Sequence, residues 1–210
     1  RIVSSITTKS CRLDFIPTSL IKSRSVISSH PIAKLQPANL YFQEGCFPTI
    51  FKQAVITHIS RSNSPSSYRP ISNLNNISKI LERIFLSRLQ SHITSSPNFN
   101  PLQSAYRKHH STETALLNTL DHIYSSADKS QPTVLVALDP SPAFDTIDHS
   151  TLLSRLYSDF GVAGAALHWI HSYLSDRTQR VTVGHHSSPD QPVTSGVPQG
   201  SVLGPLLFIS

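Results

Sequence analysis

A short apolar run that stops on an acid constrains this chain more than any other feature of its sequence. Residues 133–138 read TVLVAL, and Asp139 follows at once, before the turn formers of PSPAFDTIDH. A run this short, rich in valine and leucine, predicts a buried strand that ends in a turn. A carboxylate at the end of a strand is aimed by the sheet, so Asp139 is a candidate ligand for Mg²⁺. The same residues also fit a simpler role, in which Asp139 caps the turn.

The charge balance favours a polyanionic partner. The chain has 210 residues, with 18 Lys and Arg against 12 Asp and Glu, and its pI is about 9.6. Phosphate neutralisation supplies most sequence-independent binding to nucleic acid, although many basic proteins bind none. The sequence shows no apolar run near the length of about 18 residues that a membrane span needs, and no signal peptide. We therefore expect no membrane partner and no secretion.

Periodicity and turn residues predict an α+β fold with a mostly antiparallel sheet and packing helices. Helices are predicted over 73–93, from Ser111 onward, over 150–157 and over 165–174. Strands are predicted over 54–59 and 179–183, with 192–194 pairing back as a hairpin. In the first helix we expect the charged residues to lie largely away from the apolar face; they are Lys79, Glu82, Arg83 and Arg88.

Two segments carry cations in positions suited to phosphate. In YRPIS at 68–72, Pro70 holds Arg69 in an extended conformation that presents its guanidinium. Residues 103–110 read QSAYRKHH, a basic loop in which Arg107 and Lys108 can pair with phosphates while a ring stacks on a base. A solvated surface loop is the alternative for residues 103–110.

Several strings, in their order along the chain, resemble the reverse transcriptases of non-LTR (LINE-type) retrotransposons. They are SCRLDFIPTSLIK at 10–22, GCFPTIFKQAVIT at 45–57, YRPISNLNNISKILERI at 68–84, and the stretch from NPLQSAYRKHHSTETALL at 100–117 to the C-terminus, which includes SGVPQGSVLGPLLF at 195–208. The resemblance implies a partial right-hand polymerase. Residues 1–50 would be an N-terminal extension, 51–130 the fingers, and 131–210 a partial palm that carries motifs A and B and ends before motif C.

The resemblance implies an RNA-directed DNA polymerase that transfers a nucleotide from dNTP to a primer 3′-hydroxyl. Such chemistry uses two Mg²⁺ ions, which several carboxylates must hold. Asp139 would be the motif A ligand, and the carbonyl of Pro140 could add an oxygen. Asp145 and Asp148 follow the turn, where we expect helix capping rather than metal binding. RNA template, DNA primer and dNTP would be the partners.

The resemblance also assigns further site residues by position. Arg69 would grip the triphosphate with Arg61 as a second cation, and Phe144 would be the steric gate under the sugar. A core phenylalanine is the alternative for Phe144. Gln199 and Gly200 would lie near the incoming nucleotide, where glycine lets backbone approach closely. The template-binding residues would be Arg107 and Lys108.

Two departures from the family pattern bear on activity. Pro140 and Pro142 stand where the family has small or aliphatic residues, and they remove two backbone donors beside Asp139. The carboxylates of motif C are not among the 210 residues, so we expect an incomplete Mg²⁺ site and an inactive chain. The alternative function is a non-catalytic, decayed retrotransposon remnant that at most binds nucleic acid, and a third is an unrelated basic interaction domain. A nuclear or cytoplasmic location is implied by the family.

Overall fold

The computed structural model describes residues 36–60, 68–139 and 142–210, together with Cys11, Leu13 and Asp14. The helices are α1 (Gln36–Gln43), α2 (Asn76–Thr94), α3 (Thr112–Asp128), α4 (His149–Ser158), α5 (Gly164–Leu174) and α6 (Gly204–Ile209). The strands are β1 (Gln53–Ser60), β2 (Tyr68–Asn73), β3 (Arg177–Val183), β4 (His186–Ser187) and β5 (Gln191–Val193). None of the helices in these described ranges is long and apolar enough to cross a membrane.

The five strands form one mixed sheet in which antiparallel pairing dominates. β1 pairs antiparallel with β2 and parallel with β3, and β3 pairs antiparallel with both β4 and β5. The predicted α+β class and its mostly antiparallel sheet are therefore confirmed. Arg69 lies opposite Ile59 in the β1–β2 ladder, so its backbone is extended as the following proline predicts. The parallel β1–β3 ladder also joins a strand of the predicted palm, β3, to a strand of the predicted fingers, β1.

Side chains fix the starts of the two long helices. Asn75 accepts a hydrogen bond from the Ile77 amide at 2.8 Å, and the Asp14 carboxylate accepts one from the Asn76 amide at 2.8 Å, so both cap α2. Ser111 and Thr114 form a capping box at the start of α3, each hydroxyl accepting from the other residue's backbone N–H. The helix predicted from Ser111 is thus confirmed with its cap.

The core is built around a cluster of aromatic rings from α2, α5 and the segment before β1. Trp169 is fully buried and stacks on Phe85, with ring centroids 4.1 Å apart. Phe47 meets Trp169 and Tyr173 edge-on at 5.2 and 5.1 Å. These geometries are the favourable ones for aromatic pairs, and they tie helices from both halves of the sequence together. Leucines of α4 and α6 complete the same core, among them Leu156.

The buried strand predicted over residues 133–138 is wrong. These residues carry no strand, and their apolar side chains are exposed, with Val134 and Leu138 each 86% accessible. A strand needs a neighbour whose backbone groups complete its ladder. None of the five described strands pairs with residues 133–138, so the backbone groups of this segment have no described ladder to join. High strand propensity alone does not supply a partner.

The expectation for Glu82 is also wrong, because its side chain is fully buried. Glu82 lies on the same helical stripe as Ser78, Phe85 and Leu89, which are three or four residues apart and all buried. A carboxylate is tolerated there because hydrogen-bond donors surround it, as described below. Hydrophobicity alone assigns such a residue to the outer face.

We predict that Trp169→Ala destabilises the fold by about 3–5 kcal/mol, because it removes the largest side chain of the aromatic cluster and leaves a cavity. Urea unfolding followed by circular dichroism measures this loss. The matched control is Tyr157→Ala, since Tyr157 is 62% exposed on α4. The control should change the free energy of unfolding by no more than about 0.5 kcal/mol. Equal losses in the two variants would contradict the assignment of Trp169 to the core.

Candidate functional site

Two segments that are distant in the sequence meet at one point of the surface. One is the 142–147 turn after Asp139, and the other is residues 195–203, called here the VPQG loop. The Gly196 amide donates to the Ile147 carbonyl at 2.7 Å, and the Val197 amide donates to the Phe144 carbonyl at 2.9 Å. The Ser195 hydroxyl donates to the Asp145 carbonyl, 50 residues away in the chain. The structure therefore brings together the two segments that the resemblance identifies as motifs A and B.

Gly196 permits this contact. Its φ is +78°, and a Cβ there would lie 2.7 Å from both the Asp145 Cα and the Phe144 carbonyl oxygen. No side chain fits at that distance from backbone atoms. His149, at the start of α4, adds a hydrogen bond of 2.7 Å between its Nε2 and the Gly196 carbonyl, so this nitrogen carries the proton. Close backbone contact thus requires glycine at this position.

A cleft of about 310 Å³ opens beside this junction. The residues with polar side chains along it are Ser72, Asp145, Arg177, Thr178, Gln179, Thr194, Ser195 and Gln199. The Ser72 amide donates to the Gln199 carbonyl at 2.9 Å, which fastens the VPQG loop to β2. Gly200 has φ +109°, and a Cβ there would lie 3.1 Å from the Ser72 carbonyl oxygen. Gln199 therefore lies at the wall of the cleft, and Gly200 follows it against the backbone of β2. Their predicted role near a nucleotide stays a prediction.

Arg177 lines the same cleft and was not predicted. It is 2% exposed, its Nη1 donates to the Tyr173 carbonyl at 2.8 Å, and its Cζ lies 4.8 Å from the centre of the Tyr173 ring. Its Nη2 is buried and has no hydrogen-bond partner among the described residues. The cleft wall therefore holds a buried cation. In the sequence, Arg177 only begins an alternating strand, which fits a solvent-exposed arginine equally well.

Phe144 lies between the core and the basic loop. It is half-buried against the core, and its ring centroid is 5.2 Å from that of Phe208 and 6.3 Å from that of Tyr106. Tyr106 belongs to the basic loop at 103–110, so this loop lies beside the 142–147 turn. The geometry is compatible with both the core role and the role beside a ligand, and the steric-gate assignment stays a prediction.

The residues predicted to bind the template and the triphosphate differ in their surroundings and in how much of them the structure describes. Arg107 donates from Nη1 to the Pro101 carbonyl at 2.8 Å, and its guanidinium lies 5.7 Å above the Phe99 ring, so it holds its own loop together. Lys108 is exposed. Arg69 is described through its backbone in β2. Arg61 lies outside the described residues.

The described carboxylates do not gather into a metal site. Asp139 is exposed, and no group of three or more His, Cys, Asp or Glu side chains in the described part of the chain is placed to hold a metal ion. Asp148 caps α4, where its carboxylate accepts from the Thr151 amide at 2.7 Å and the Ser150 hydroxyl at 2.6 Å. The capping role predicted for Asp148 is confirmed. Two Mg²⁺ ions need more carboxylates than Asp139, so these residues by themselves do not fit the two-metal site.

An α+β fold thus brings two segments that are distant in the sequence together beside a cleft whose charged residues are Arg177 and Asp145. A family model described as reverse transcriptase (RNA-dependent DNA polymerase) matches residues 58–210. The chain therefore belongs to the reverse transcriptase family.

Its relatives come from mobile elements. It is 33% identical over 204 residues to the probable RNA-directed DNA polymerase from transposon BS of Drosophila melanogaster, covering 95% of this chain and 22% of that protein. It is 32% identical to the RNA-directed DNA polymerase from mobile element jockey of the same fly, covering 81% of this chain and 19% of the relative. It is 30% identical to a retrovirus-related Pol polyprotein from the type-1 retrotransposable element R2 of Popillia japonica, covering 80% and 24%. The chain spans about a fifth of the length of these relatives.

We predict that Gly196→Ala destabilises the chain by about 1–3 kcal/mol more than Gly184→Ala does. Both glycines have positive φ, +78° and +59°, so both substitutions carry the same kind of backbone strain. A Cβ at Gly184 meets nothing within 4 Å, whereas one at Gly196 collides with the 142–147 turn. Urea unfolding of the two variants measures the difference. Equal free energies of unfolding would show that the junction tolerates a methyl group.

We also predict a pH-dependent contribution from Asp148. Hydrogen bonds from Ser150 and Thr151 lower the pKa of its carboxyl from 3.8 to about 2. A depressed pKa stabilises the fold above the unfolded value, and that stabilisation is lost as the pH falls toward the folded value. Asp148→Ala should therefore melt below the parent chain at pH 6, and the gap in Tm should narrow between pH 4 and pH 2, as the pKa values require.

The matched control for Asp148 is Asp121→Ala, an exposed aspartate on α3. Its Tm difference from the parent chain should not narrow over the same range. A gap for Asp148→Ala that is constant from pH 6 to pH 2 would contradict the depressed pKa and the capping role.

Proposed function

We propose that this chain contributes the nucleotide-handling part of an RNA-directed DNA polymerase, which transfers nucleotides from dNTP to a primer 3′-hydroxyl on an RNA template. The observation that carries the proposal is the junction of the 142–147 turn with the VPQG loop beside the cleft. The similarity to RNA-directed DNA polymerases from mobile elements supports the same activity. Because the chain spans about a fifth of the length of these relatives, we propose the activity for a polymerase that contains these residues and not for the 210 residues alone.

The cleft residues offer a physical basis for binding a nucleotide. Arg177 lies in the cleft wall, and the positive charge of its guanidinium favours an anionic phosphate there. Gln199 brings a side-chain amide to the same wall, and the next residue, Gly200, brings its backbone close to the Ser72 carbonyl. We propose that Arg69 and Arg61 add charge toward the triphosphate, and that Phe144 lies under the sugar.

The basic loop at 103–110 is the proposed contact with nucleic acid. Lys108 is exposed, and Tyr106 is 53% exposed beside the 142–147 turn. An exposed cation next to an exposed ring suits a strand whose phosphates pair and whose bases stack. Since Arg107 is engaged within its loop, we propose that it shapes this surface and that Lys108 carries the larger share of the phosphate contact. A template duplex containing RNA would be held by its shape and backbone.

Reverse transcriptases are polymerases that generally depend on a metal, and we propose Mg²⁺ with Asp139 as one ligand. A carboxylate oxygen is the donor that Mg²⁺ prefers, and Asp139 is exposed and accessible to an ion. One carboxylate does not hold two ions. The remaining ligands would have to come from outside the described residues, since these gather no further carboxylates into a group of three.

The test is a chimera in which residues 1–210 replace the matching segment of the transposon BS polymerase. We expect this chimera to extend a DNA primer on an RNA template with Mg²⁺. Asp139→Asn should abolish extension, because the isosteric amide loses the negative charge that a cation requires. Incorporation of labelled dNTP measures both.

Asp121→Asn in the same chimera is the control, because it makes the same chemical change on the exposed face of α3. It should leave extension unchanged. A chimera that is folded, binds primer–template and extends nothing would overturn the polymerase proposal and favour a decayed remnant that only binds nucleic acid. Full activity of Asp139→Asn would remove Asp139 from the metal site.

A further inference from the structure

A buried carboxylate lies beneath the VPQG loop and contacts its backbone. Glu82, in the second turn of α2, is completely buried beneath this loop. Its Oε2 accepts hydrogen bonds from the Val202 amide at 2.7 Å and the Leu203 amide at 3.2 Å. These two residues follow Gln199 and Gly200 by only a few positions. The carboxylate therefore contacts the same loop that lines the cleft, from the side opposite to solvent.

The other neighbours of Glu82 are donors as well. The Ser78 hydroxyl donates to Oε1 at 3.0 Å, and the Tyr173 hydroxyl points at Oε2 from 3.4 Å. An ionised carboxylate accepts and does not donate, so a ring of four donors is the environment that suits it. Burial raises the pKa of the Glu82 carboxyl, while the Arg177 guanidinium and the two backbone N–H groups oppose the rise.

Hydrogen bonds hold the VPQG loop on both sides of Gln199 and Gly200. On the β2 side, the Ser72 amide holds the Gln199 carbonyl at 2.9 Å. On the α2 side, Glu82 holds the amides of Val202 and Leu203. Between them the chain turns through Ser201, whose amide donates to the Pro198 carbonyl at 2.9 Å. The conformation of Gln199 and Gly200 is therefore determined by groups on either side of them.

A buried carboxylate is a costly way to hold a loop. Removing it from water costs several kcal/mol, and well-packed apolar residues often stabilise a core at least as well. A charged group does offer something that an apolar one does not. It orients two backbone amides in one direction, which selects one conformation of the loop over others.

We propose that Glu82 is a positioning residue for nucleotide binding, which sets the conformation of Gln199 and Gly200 by holding the amides of Val202 and Leu203. That the ligand is a nucleotide rests on the proposed function, whereas the contacts of Glu82 with the loop are those of the structure. Glu82→Gln keeps the shape and one acceptor oxygen, and Glu82→Ala keeps neither. The effect should therefore be graded, with the glutamine variant between the parent chain and the alanine variant.

The first experiment uses the full chain without ligand. Amide hydrogen exchange, read by NMR, should become at least about tenfold faster at Val202 and Leu203 in Glu82→Gln and faster still in Glu82→Ala. The Leu89 and Ile93 amides of α2 should keep their protection, because the core is intact. Unchanged exchange at Val202 and Leu203 overturns the proposal. A uniform acceleration across the chain overturns it too, since Glu82 would then act on global stability alone.

The second experiment separates nucleotide binding from nucleic-acid binding. A dATP analogue carrying an N-methylanthraniloyl fluorophore is titrated into the full chain bound to primer–template. We expect Glu82→Gln to weaken binding of the analogue at least about tenfold and to leave the affinity for primer–template unchanged. The control is Glu44→Gln, an exposed glutamate outside the cleft, which should change neither affinity.

The outcomes are distinguishable. A parent chain that binds primer–template and no nucleotide overturns the proposed function, and with it the role of Glu82 in nucleotide binding. A parent chain that binds the analogue, with equal affinity in Glu82→Gln despite faster exchange at Val202 and Leu203, overturns the positioning role alone. Equal losses of nucleotide and primer–template affinity would assign Glu82 to the fold rather than to the cleft.

Discussion

Backbone hydrogen bonds between the 142–147 turn and the VPQG loop hold the candidate site together. The two segments are separated by 50 residues at the Ser195–Asp145 contact, so closing them in an unfolded chain would carry a large entropic cost. Packing of the intervening elements offsets that cost. These elements are α4, α5 and strands β3 to β5, which lie in the sequence between the turn and the VPQG loop. The cleft is therefore a product of tertiary packing, and it depends on the aromatic cluster around Trp169.

The core beneath the cleft is not purely apolar. Arg177 and Glu82 are both buried there, with Tyr173 in contact with each. Every additional polar group in such a position requires partners, because an unsatisfied one costs more than a typical hydrogen bond contributes. The carboxylate has a full set of donors, whereas the guanidinium keeps one unused.

Local rules predicted the local elements well. The strand over 54–59, the helix over 73–93 and the cap at Ser111 all follow from periodicity and capping chemistry. The predictions that were wrong concern residues whose placement depends on tertiary contacts, which local patterns do not specify. Residues 133–138 have the composition of a buried strand, yet no described strand pairs with them. Glu82 is spaced along α2 like the residues that face the core, but its charged side chain led to a prediction on the solvent-exposed face. The meeting of the turn with the VPQG loop was implied by family resemblance, since no local pattern encodes a contact across that distance.

The exposed apolar surface has a calorimetric consequence. No residue of α3 is buried, and residues 131–139 are exposed throughout. Apolar surface that is already hydrated in the folded chain is not newly hydrated on unfolding. The heat-capacity increment of a typical domain, about 12–15 cal/mol/K per residue, therefore applies only to the parts that pack. The chain should show a smaller increment than its length implies, and its stability should vary less steeply with temperature.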